Sequence, residues 1–394
     1  MKINSFNFLK NNSTIYKNNL RKCSEIFKNL LRNKENFFFN TLSNDYQKSI
    51  FLKKIFLKKK LHNDILIIGM GGSVLGSKML SSFFGFDKNY YFLDSLNSST
   101  VNNFIKKDLS KFSIFIISKS GQTLETLTNC NIILNNFKKR KKEISKNFII
   151  ISERNSILFN FARKNNILFF EHNINLSGRY SVLSEAGLLM FDLDYKKIIQ
   201  GINSVLRKDL KKNLINNAAT LLTFMTKSKI DTHVSLIYSN NLLNYGYWHQ
   251  QLLAESIGKN GKDFTPIISE CPKDHHSIMQ LYLDGKRNKF FTFFKTINNK
   301  IDQPIKDYFD LKFKKSSLNN IVDAQFNATI KVFKKNLIPF RVIFIDQKKP
   351  IQSFISLLVY SMLETAILCK GLDLNPFNQP AVEAIKKETY SLLS

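Results

Sequence analysis

The 394-residue sequence contains few cysteines, glycines and prolines. Its four cysteines are far apart and form no C-x-x-C pair, which argues against a disulfide scaffold or a zinc ribbon and favours a reducing cytoplasm. With 14 Gly and 7 Pro, the chain is neither collagen-like nor of low complexity. No apolar run approaches the roughly 20 residues that a membrane helix needs, and the N-terminus has no apolar signal core. We therefore expect a soluble, cytoplasmic protein with no membrane segment.

Acidic residues are also scarce, because 59 Lys and Arg face 30 Asp and Glu and give a net charge of +29. Such an excess is typical of proteins that bind nucleic acid, which cluster their cations on one element with interleaved aromatic residues. Here Phe, Lys, Asn and Ile are all abundant, as codon usage in an AT-rich genome would produce, and we expect no specific nucleic-acid partner. The basic runs are scattered along the chain at Lys53–Lys54, Lys58–Lys60, Lys138–Lys142, Arg207–Lys212 and Lys312–Lys315.

Short apolar runs alternate with helical stretches after a basic, helix-rich segment of about 60 residues. This alternation predicts βαβ units and parallel sheets covered on both faces. We predict an α/β protein with two doubly wound parallel-sheet domains of three αβα layers and a C-terminal helical arm. The predicted segments are 1–60, 61–200, 201–370 and 371–394. The strand candidates are Asp64–Ile68, Tyr90–Leu93, Phe112–Ile117, Asn147–Ile151, Ile167–Phe170, Val234–Tyr238, Lys289–Phe294 and Arg341–Ile345.

The first strand candidate runs into the glycine-rich loop Gly69–Ser73. The loop is not a G-x-G-x-x-G dinucleotide motif, because its third glycine position is Val74. It is not a P-loop either, because Ser77-Lys78 reverses the required Lys-Ser order. A strand-to-helix turn with Ser73 as donor forms a generic anion site, and a tight turn without a ligand explains the loop equally well.

The loop Ser118–Thr123 is richer in donors and also stands between a strand and a helix. Ser118, Lys119, Ser120 and Thr123 join backbone N–H groups and the positive end of a helix dipole, so they favour phosphate binding. The alternative is a helix cap with a solvated lysine.

Several isolated charges stand next to glycine or small polar residues. Glu125, Arg179, Glu255 and Lys386, taken singly, suit salt bridges or solvated helix faces better than catalysis. The adjacent pair His275–His276 is weak evidence for a metal site, because neighbouring residues point apart. We expect no metal site.

In chain order, these segments together resemble the glucose-6-phosphate isomerase (phosphoglucose isomerase) family. The family pattern is G-x-G-G-S, S-K-S/T-x-x-T-x-E, G-R-Y-S, Q-x-x-x-E-S-x-G-K, H-x-x-x-Q-L and F-x-Q-x-x-V-E-x-x-K. The matching segments are Gly69–Ser73, Ser118–Glu125, Gly178–Ser181, Gln251–Lys259, His276–Leu281 and Phe377–Lys386. The resemblance spans roughly residues 65–387.

The resemblance implies two sugar-isomerase-type domains and the reversible isomerisation of glucose 6-phosphate and fructose 6-phosphate, a reaction of glycolysis and gluconeogenesis. The reaction runs by ring opening and proton transfer through a cis-enediol(ate), with no metal or other cofactor.

Residue roles follow from the same resemblance. Glu255 would be the general base, Arg179 would stabilise the enediolate, and His276 and Lys386 would assist ring opening. His276 would come from the neighbouring subunit of a homodimer. The implied substrate-binding residues are Ser73, Ser118, Lys119, Ser120, Thr123, Glu125, Gly178, Gln251 and Gln379.

Some positions depart from the family pattern. Ile257 stands in place of Asn, Ser177 in place of Gly, His275 in place of Gln, and Pro380-Ala381 where Trp-Gly is common. Two related functions stay open on the same fold. One is an isomerase for another aldose phosphate, such as mannose 6-phosphate, and the other is a non-catalytic sugar-phosphate-binding protein.

Overall fold

The computed structural model describes residues 1–6, 13–33, 36–207, 209–228, 230–306, 308–309 and 317–393. The basic run Lys312–Lys315 and Lys208 of the run Arg207–Lys212 lie outside the described residues. The chain forms two compact units. Residues 30–199 form one, the central unit of the sequence, and residues 1–29 with 200–394 form the other, the terminal unit.

The elements are numbered in chain order over the described residues. The strands are β1 (Lys2–Phe6), β2 (Asp64–Gly69), β3 (Asn89–Leu93), β4 (Phe112–Ile117), β5 (Phe148–Ser152), β6 (Leu168–Glu171), β7 (Thr232–Ile237), β8 (Thr265–Glu270), β9 (Lys289–Ile297) and β10 (Phe340–Asp346). The helices are α1 (Thr14–Asn33), α2 (Phe38–Thr41), α3 (Asn44–Lys58), α4 (Gly72–Phe84), α5 (Ser98–Ile105), α6 (Leu124–Lys139), α7 (Ile157–Lys164), α8 (Glu185–Leu188), α9 (Tyr195–Arg207), α10 (Asp209–Lys227), α11 (Leu243–Ile257), α12 (Met279–Asp284), α13 (Leu318–Lys335), α14 (Pro350–Gly371) and α15 (Val382–Leu393).

The central unit contains a parallel sheet in the order β3-β2-β4-β5-β6. Ile65–Ile68 and Ile114–Ile117 are fully buried, because parallel strands carry helices on both faces and read as continuous apolar runs. Helices α3, α5 and α7 begin at polar caps, as where Ser156 Oγ accepts from Phe159 N at 3.1 Å. Gly69 pairs with Ile117, so the loops after β2 and β4 leave the same edge of the sheet.

The terminal unit contains a five-stranded sheet in the order β1-β10-β9-β7-β8, in which only β1 is antiparallel to its neighbour among the described strands. The prediction of a helix-rich N-terminal segment is therefore wrong for residues 2–6, which form an edge strand. The sequence patterns also missed β8, a half-exposed edge strand whose second residue is Pro266. The mixed α/β class with parallel sheets and a C-terminal helix is confirmed.

Helix α14 packs against β10, α10 and α11 in the terminal unit. Its 22 residues are long and apolar enough to cross a membrane by length and composition alone, so the expectation that no run approaches this length is wrong. Inside the fold, however, 89% of its most apolar 18-residue window is buried. Burial on all sides explains the composition, because a helix surrounded by protein has no polar face.

A charged pair lies between α14 and β10 in the same unit. Arg341 donates to both carboxylate oxygens of Glu364, at 2.5 and 2.7 Å, and its Nε donates to Thr292 Oγ1 at 3.0 Å. Both charged side chains are almost fully buried, so removal of either one would leave the other as an unpaired buried charge.

Candidate active site

The glycine-rich loop of the central unit packs backbone against backbone on the turn that carries Arg179. Gly71 precedes the first residue of α4 and has a φ of +51°. A positive φ of this size favours glycine. A Cβ on Gly72 would lie 2.3 Å from the carbonyl carbon of Gly178 and 2.6 Å from Arg179 N. Only glycine permits this approach, which places Ser73 next to the Gly178–Arg179 backbone.

The loop after β4 is a tight turn that leads into α6. Ser118 Oγ and Thr123 Oγ1 are 3.0 Å apart, and Ser120 Oγ accepts from Gln122 N at 3.3 Å. Gly121 has a φ of +64°, and a Cβ there would lie 2.5 Å from Ser156 Cβ. The hydroxyl groups of this loop therefore gather at the N-terminus of a 16-residue helix, where backbone N–H groups and the helix dipole favour an anion. Glu125 lies in the first turn of α6.

Two cations stand at this edge of the central sheet. Lys119 is half-buried, and burial lowers its pKa while Glu153 raises it and Arg179 lowers it. Arg179 is buried, with its guanidinium 5.8 Å from the ring centre of Tyr180. Because the two positive charges influence each other, a bound dianion would relieve their repulsion.

His172 belongs to the same edge and was missed in the sequence. It follows β6 directly and is buried, and its Nδ1 lies 3.1 Å from Asn173 O. Burial lowers its pKa to about 4, with a further contribution from Lys119, so the imidazole is neutral at pH 7. Its position at the carboxyl end of a parallel strand was the signal that could have found it.

In the terminal unit, α11 places a glutamine one turn before a glutamate. Gln251 Nε2 donates to Glu255 Oε1 at 2.7 Å, and Gln251 Oε1 is buried with no hydrogen-bond partner among the described residues. Residues four apart share a helix face, so the spacing itself creates this pair. The amide holds one carboxylate oxygen of the half-exposed Glu255 in place.

The end of α11 is tied to the C-terminal arm. Asn260 and Gly261 have φ values of +54° and +68° in the turn that joins Lys259 to Lys262, a conformation that Asn-Gly favours. Lys259 Nζ donates to Asn375 O and, at 3.0 Å, to Asn378 Oδ1, and Lys262 Nζ donates to Leu372 O. The residue after this anchored stretch is Gln379.

The two adjacent histidines have different surroundings. His275 Nε2 lies 2.7 Å from Tyr238 OH, and burial together with His276 lowers the pKa of His275. His276 is exposed at the end of the 3₁₀ turn Lys273–His276. Among the described residues, no group of three or more His, Cys, Asp or Glu is placed to hold a metal ion.

Lys386 lies on α15, whose described side chains include no buried one. Its Nζ donates to Glu383 Oε1 at 2.6 Å, three residues earlier on the helix. The structure thus shows Lys386 in an exposed pair with Glu383, and its catalytic role stays a prediction.

The sequence is similar to known glucose-6-phosphate isomerases. The family model described as phosphoglucose isomerase matches residues 54–297. A Methanocaldococcus jannaschii protein named glucose-6-phosphate isomerase is 32% identical over 345 residues, which cover 84% of each chain. A probable glucose-6-phosphate isomerase of Methanococcus maripaludis is 33% identical over 85% of this chain and 80% of its own. The chain belongs to the phosphoglucose isomerase family.

Solved structures show the same fold. A Thermus thermophilus protein described as hypothetical superposes with a TM-score of 0.89 at 22% identity over the whole of both chains. A glucose-6-phosphate isomerase from Chlamydia trachomatis gives a TM-score of 0.72 at 18% identity over 90% of this chain and 73% of its own. The predicted family and fold are therefore confirmed. The phosphoglucose isomerase match ends before the segment Phe377–Lys386.

Proposed function

We propose that this member of the phosphoglucose isomerase family interconverts glucose 6-phosphate and fructose 6-phosphate, a step of glycolysis and gluconeogenesis. The observation that carries the proposal is the Gln251–Glu255 pair on one face of α11. The Gln251 amide nitrogen donates to the Glu255 carboxylate at an N–O distance of 2.7 Å. A positioned carboxylate is what proton transfer between adjacent carbons requires. The chemistry needs no redox cofactor, since one proton moves from C2 to C1, another moves from O2 to O1, and no electron leaves the sugar.

The phosphate of the substrate binds to the loop of the central unit in this proposal. Ser118, Ser120 and Thr123 donate from hydroxyl groups, and Lys119 supplies the charge. Support comes from the short Ser118–Thr123 distance, the N-terminus of α6 and the partly buried Lys119. Ser73, Gly178 and Glu125 complete the substrate-binding set, and this loop belongs to a first domain of residues 61–200.

Glu255 removes the C2 proton of the open-chain aldose in this proposal and returns it to C1. The negative charge that develops on the enediolate oxygen is stabilised by the guanidinium of Arg179. Gln251 and Gln379 orient the substrate. Glu255 lies in a second domain of residues 201–370, and Gln379 lies in the arm of residues 371–394, which Lys259 anchors. Residues 1–60 form the N-terminal segment.

Ring opening needs proton transfer at the ring oxygen, and we assign it to His276 and Lys386. We further propose a homodimer in which His276 acts in the neighbouring subunit's site. The exposure of His276 on a short turn supports a role outside its own unit. The four cysteines are buried thiols, which supports a reducing, cytoplasmic location.

The test of the base is Glu255→Gln, assayed with fructose 6-phosphate as substrate and detection of glucose 6-phosphate. The new amide oxygen can still accept from Gln251, so the fold and KM should persist while kcat falls about 10²–10⁴-fold. Glu25→Gln, at an exposed position on α1, is the matched control and should keep full activity. A Glu255→Gln variant with a tenth of the wild-type kcat contradicts the assignment.

The same assay with mannose 6-phosphate measures the related isomerase activity. A protein that binds fructose 6-phosphate but turns over neither sugar would be a non-catalytic sugar-phosphate-binding protein.

The dimer proposal has its own test. An equimolar mixture of Glu255→Gln and His276→Asn chains, unfolded and refolded together, should recover about a quarter of the wild-type activity if His276 acts across the interface. Random pairing makes half of the dimers mixed, and each mixed dimer then has one intact site. If His276 acts in its own subunit, the mixture stays inactive.

A further inference from the structure

The central unit has a cavity that lies away from its substrate loops. Asn63 and Lys88 line it, and they stand immediately before β2 and β3. The cavity therefore lies at the amino edge of the sheet, whereas the Gly69–Ser73 and Ser118–Thr123 loops leave the carboxyl edge. Its volume of about 710 Å³ is within the usual range of small-molecule sites.

One wall of this cavity is aromatic. The rings of Phe86 and Phe191 are stacked with centroids 5.0 Å apart, and Tyr90 lies 4.7 Å from Phe191. Tyr90 OH donates to Met190 O at 2.9 Å, which fixes its ring. Phe191 is 1% exposed, so the half-buried Phe86 and Tyr90 form the accessible part of this wall, and they suit an aromatic or apolar ring.

The other lining is positive. Three lysines and two aspartates line the cavity, and one aspartate, Asp192, pairs with both Lys58 at 2.7 Å and Lys54 at 3.9 Å. Lys88 Nζ donates to the carbonyl oxygens of His62 at 2.8 Å and Leu61 at 3.3 Å. Both acceptors are neutral, so these two hydrogen bonds do not neutralise the charge of Lys88, and an ammonium has a third N–H to donate.

Burial disfavours the charged forms of two of these lysines. Burial lowers the pKa of Lys54 to about 8, although Asp192 and Asp194 raise it, and burial also lowers the pKa of Lys88. An anion bound beside these lysines would favour their charged forms.

We propose that this cavity is a second ligand site, which binds a small amphipathic anion with its ring against Phe86 and Tyr90 and its acid group on Lys88. The ligand class is an aromatic carboxylate or a related ring-bearing acid. The site is distinct from the sugar-phosphate site, and the proposal does not rest on the catalytic one.

The experiment measures binding of 1-naphthoate to the full-length protein by calorimetry. Wild-type protein should bind one molecule per chain, and saturating fructose 6-phosphate should leave the affinity unchanged. Lys88→Glu should weaken binding at least tenfold. Lys59→Glu, at an exposed neighbouring position outside the cavity, makes the same change in net charge and should alter the affinity less than twofold.

A second variant tests the apolar wall without a change of charge. Ile55 lines the cavity and is 51% exposed, so Ile55→Trp should fold and narrow the cavity, weakening 1-naphthoate binding about tenfold. The proposal is overturned if Lys88→Glu and Lys59→Glu bind 1-naphthoate equally. It is also overturned if fructose 6-phosphate displaces the probe, or if wild-type protein shows no saturable binding.

Discussion

Replacement of Gly72 by alanine tests whether the close approach of two loops in the central unit positions Arg179. The added Cβ would lie 2.3 Å from Gly178 C, 2.6 Å from Arg179 N and 2.7 Å from Gly178 O. Carbon atoms pack at about 3.5 Å or more, so the two backbones must separate by roughly 1 Å. Neither side can yield by rotating a side chain, because all three atoms are backbone.

The expected effect on catalysis is larger than that on stability. A displacement of about 1 Å in a catalytic group can cost about 10²-fold, and we expect kcat/KM for fructose 6-phosphate to fall by that factor. Overpacking costs about 1–3 kcal/mol, partly offset by the roughly 1 kcal/mol by which alanine is the better helix former. The protein should therefore remain folded at 25 °C.

The assay of glucose 6-phosphate formation from fructose 6-phosphate and a thermal melt together test this prediction. Gly85→Ala is the control, because a Cβ there meets nothing within 4 Å while its φ of +59° still costs stability. It should lower the melting temperature without lowering kcat/KM. If Gly72→Ala keeps kcat/KM within threefold of wild type, the close approach does not position Arg179.

Three further predictions concern buried or partly buried charges. Burial lowers the pKa of His172 to about 4 and of His249 to about 3, below the value of about 6.5 in an unfolded chain. The unfolded state binds more protons between these values, so stability is complete above pH 6.5 and falls as the pH drops. Denaturant unfolding should show a loss of at least about 4 kcal/mol from pH 7 to pH 5, because burial also lowers the pKa of His233, and an unchanged free energy of unfolding would refute this. Arg341→Met should cost about 3–5 kcal/mol by stranding Glu364, and adding Glu364→Leu should restore most of it in the same unfolding experiment; purely additive losses would argue against the pairing. Lys119→Met should raise KM for fructose 6-phosphate roughly 10- to 150-fold, the loss of a charged hydrogen bond, and an unchanged KM would exclude Lys119 as a phosphate ligand.

The interior strands could be predicted, and two edge strands could not. Strands β2 and β4 are continuous apolar runs because helices cover both faces of a parallel sheet. Strand β1, with the sequence KINSF, pairs with β10 at the other end of the chain. Strand β8 is partly exposed and contains Pro266. Edge strands need less apolar surface, so their local pattern is weak and the distant partner decides them.

Some features of the candidate site could also be predicted from the sequence, and others could not. The loops after β2 and β4 could be located because ligands bind at the carboxyl ends of parallel strands. The Gln251–Glu255 contact follows from helix geometry alone. The neutral state of His172 could not be predicted, because it depends on burial and on Lys119, which is distant in sequence.

The sequence by itself determined the order of the motifs, the apolar runs of the inner strands and the types of donor in each loop. These features are local, since they depend on residues within a few positions of each other. The tertiary structure alone decided that Gly72 must be a glycine, that His275 faces Tyr238 while His276 is exposed, and that Arg341 and Glu364 share a buried site. Each of these depends on contacts between residues far apart in the chain, because burial and charge are properties of the folded surroundings.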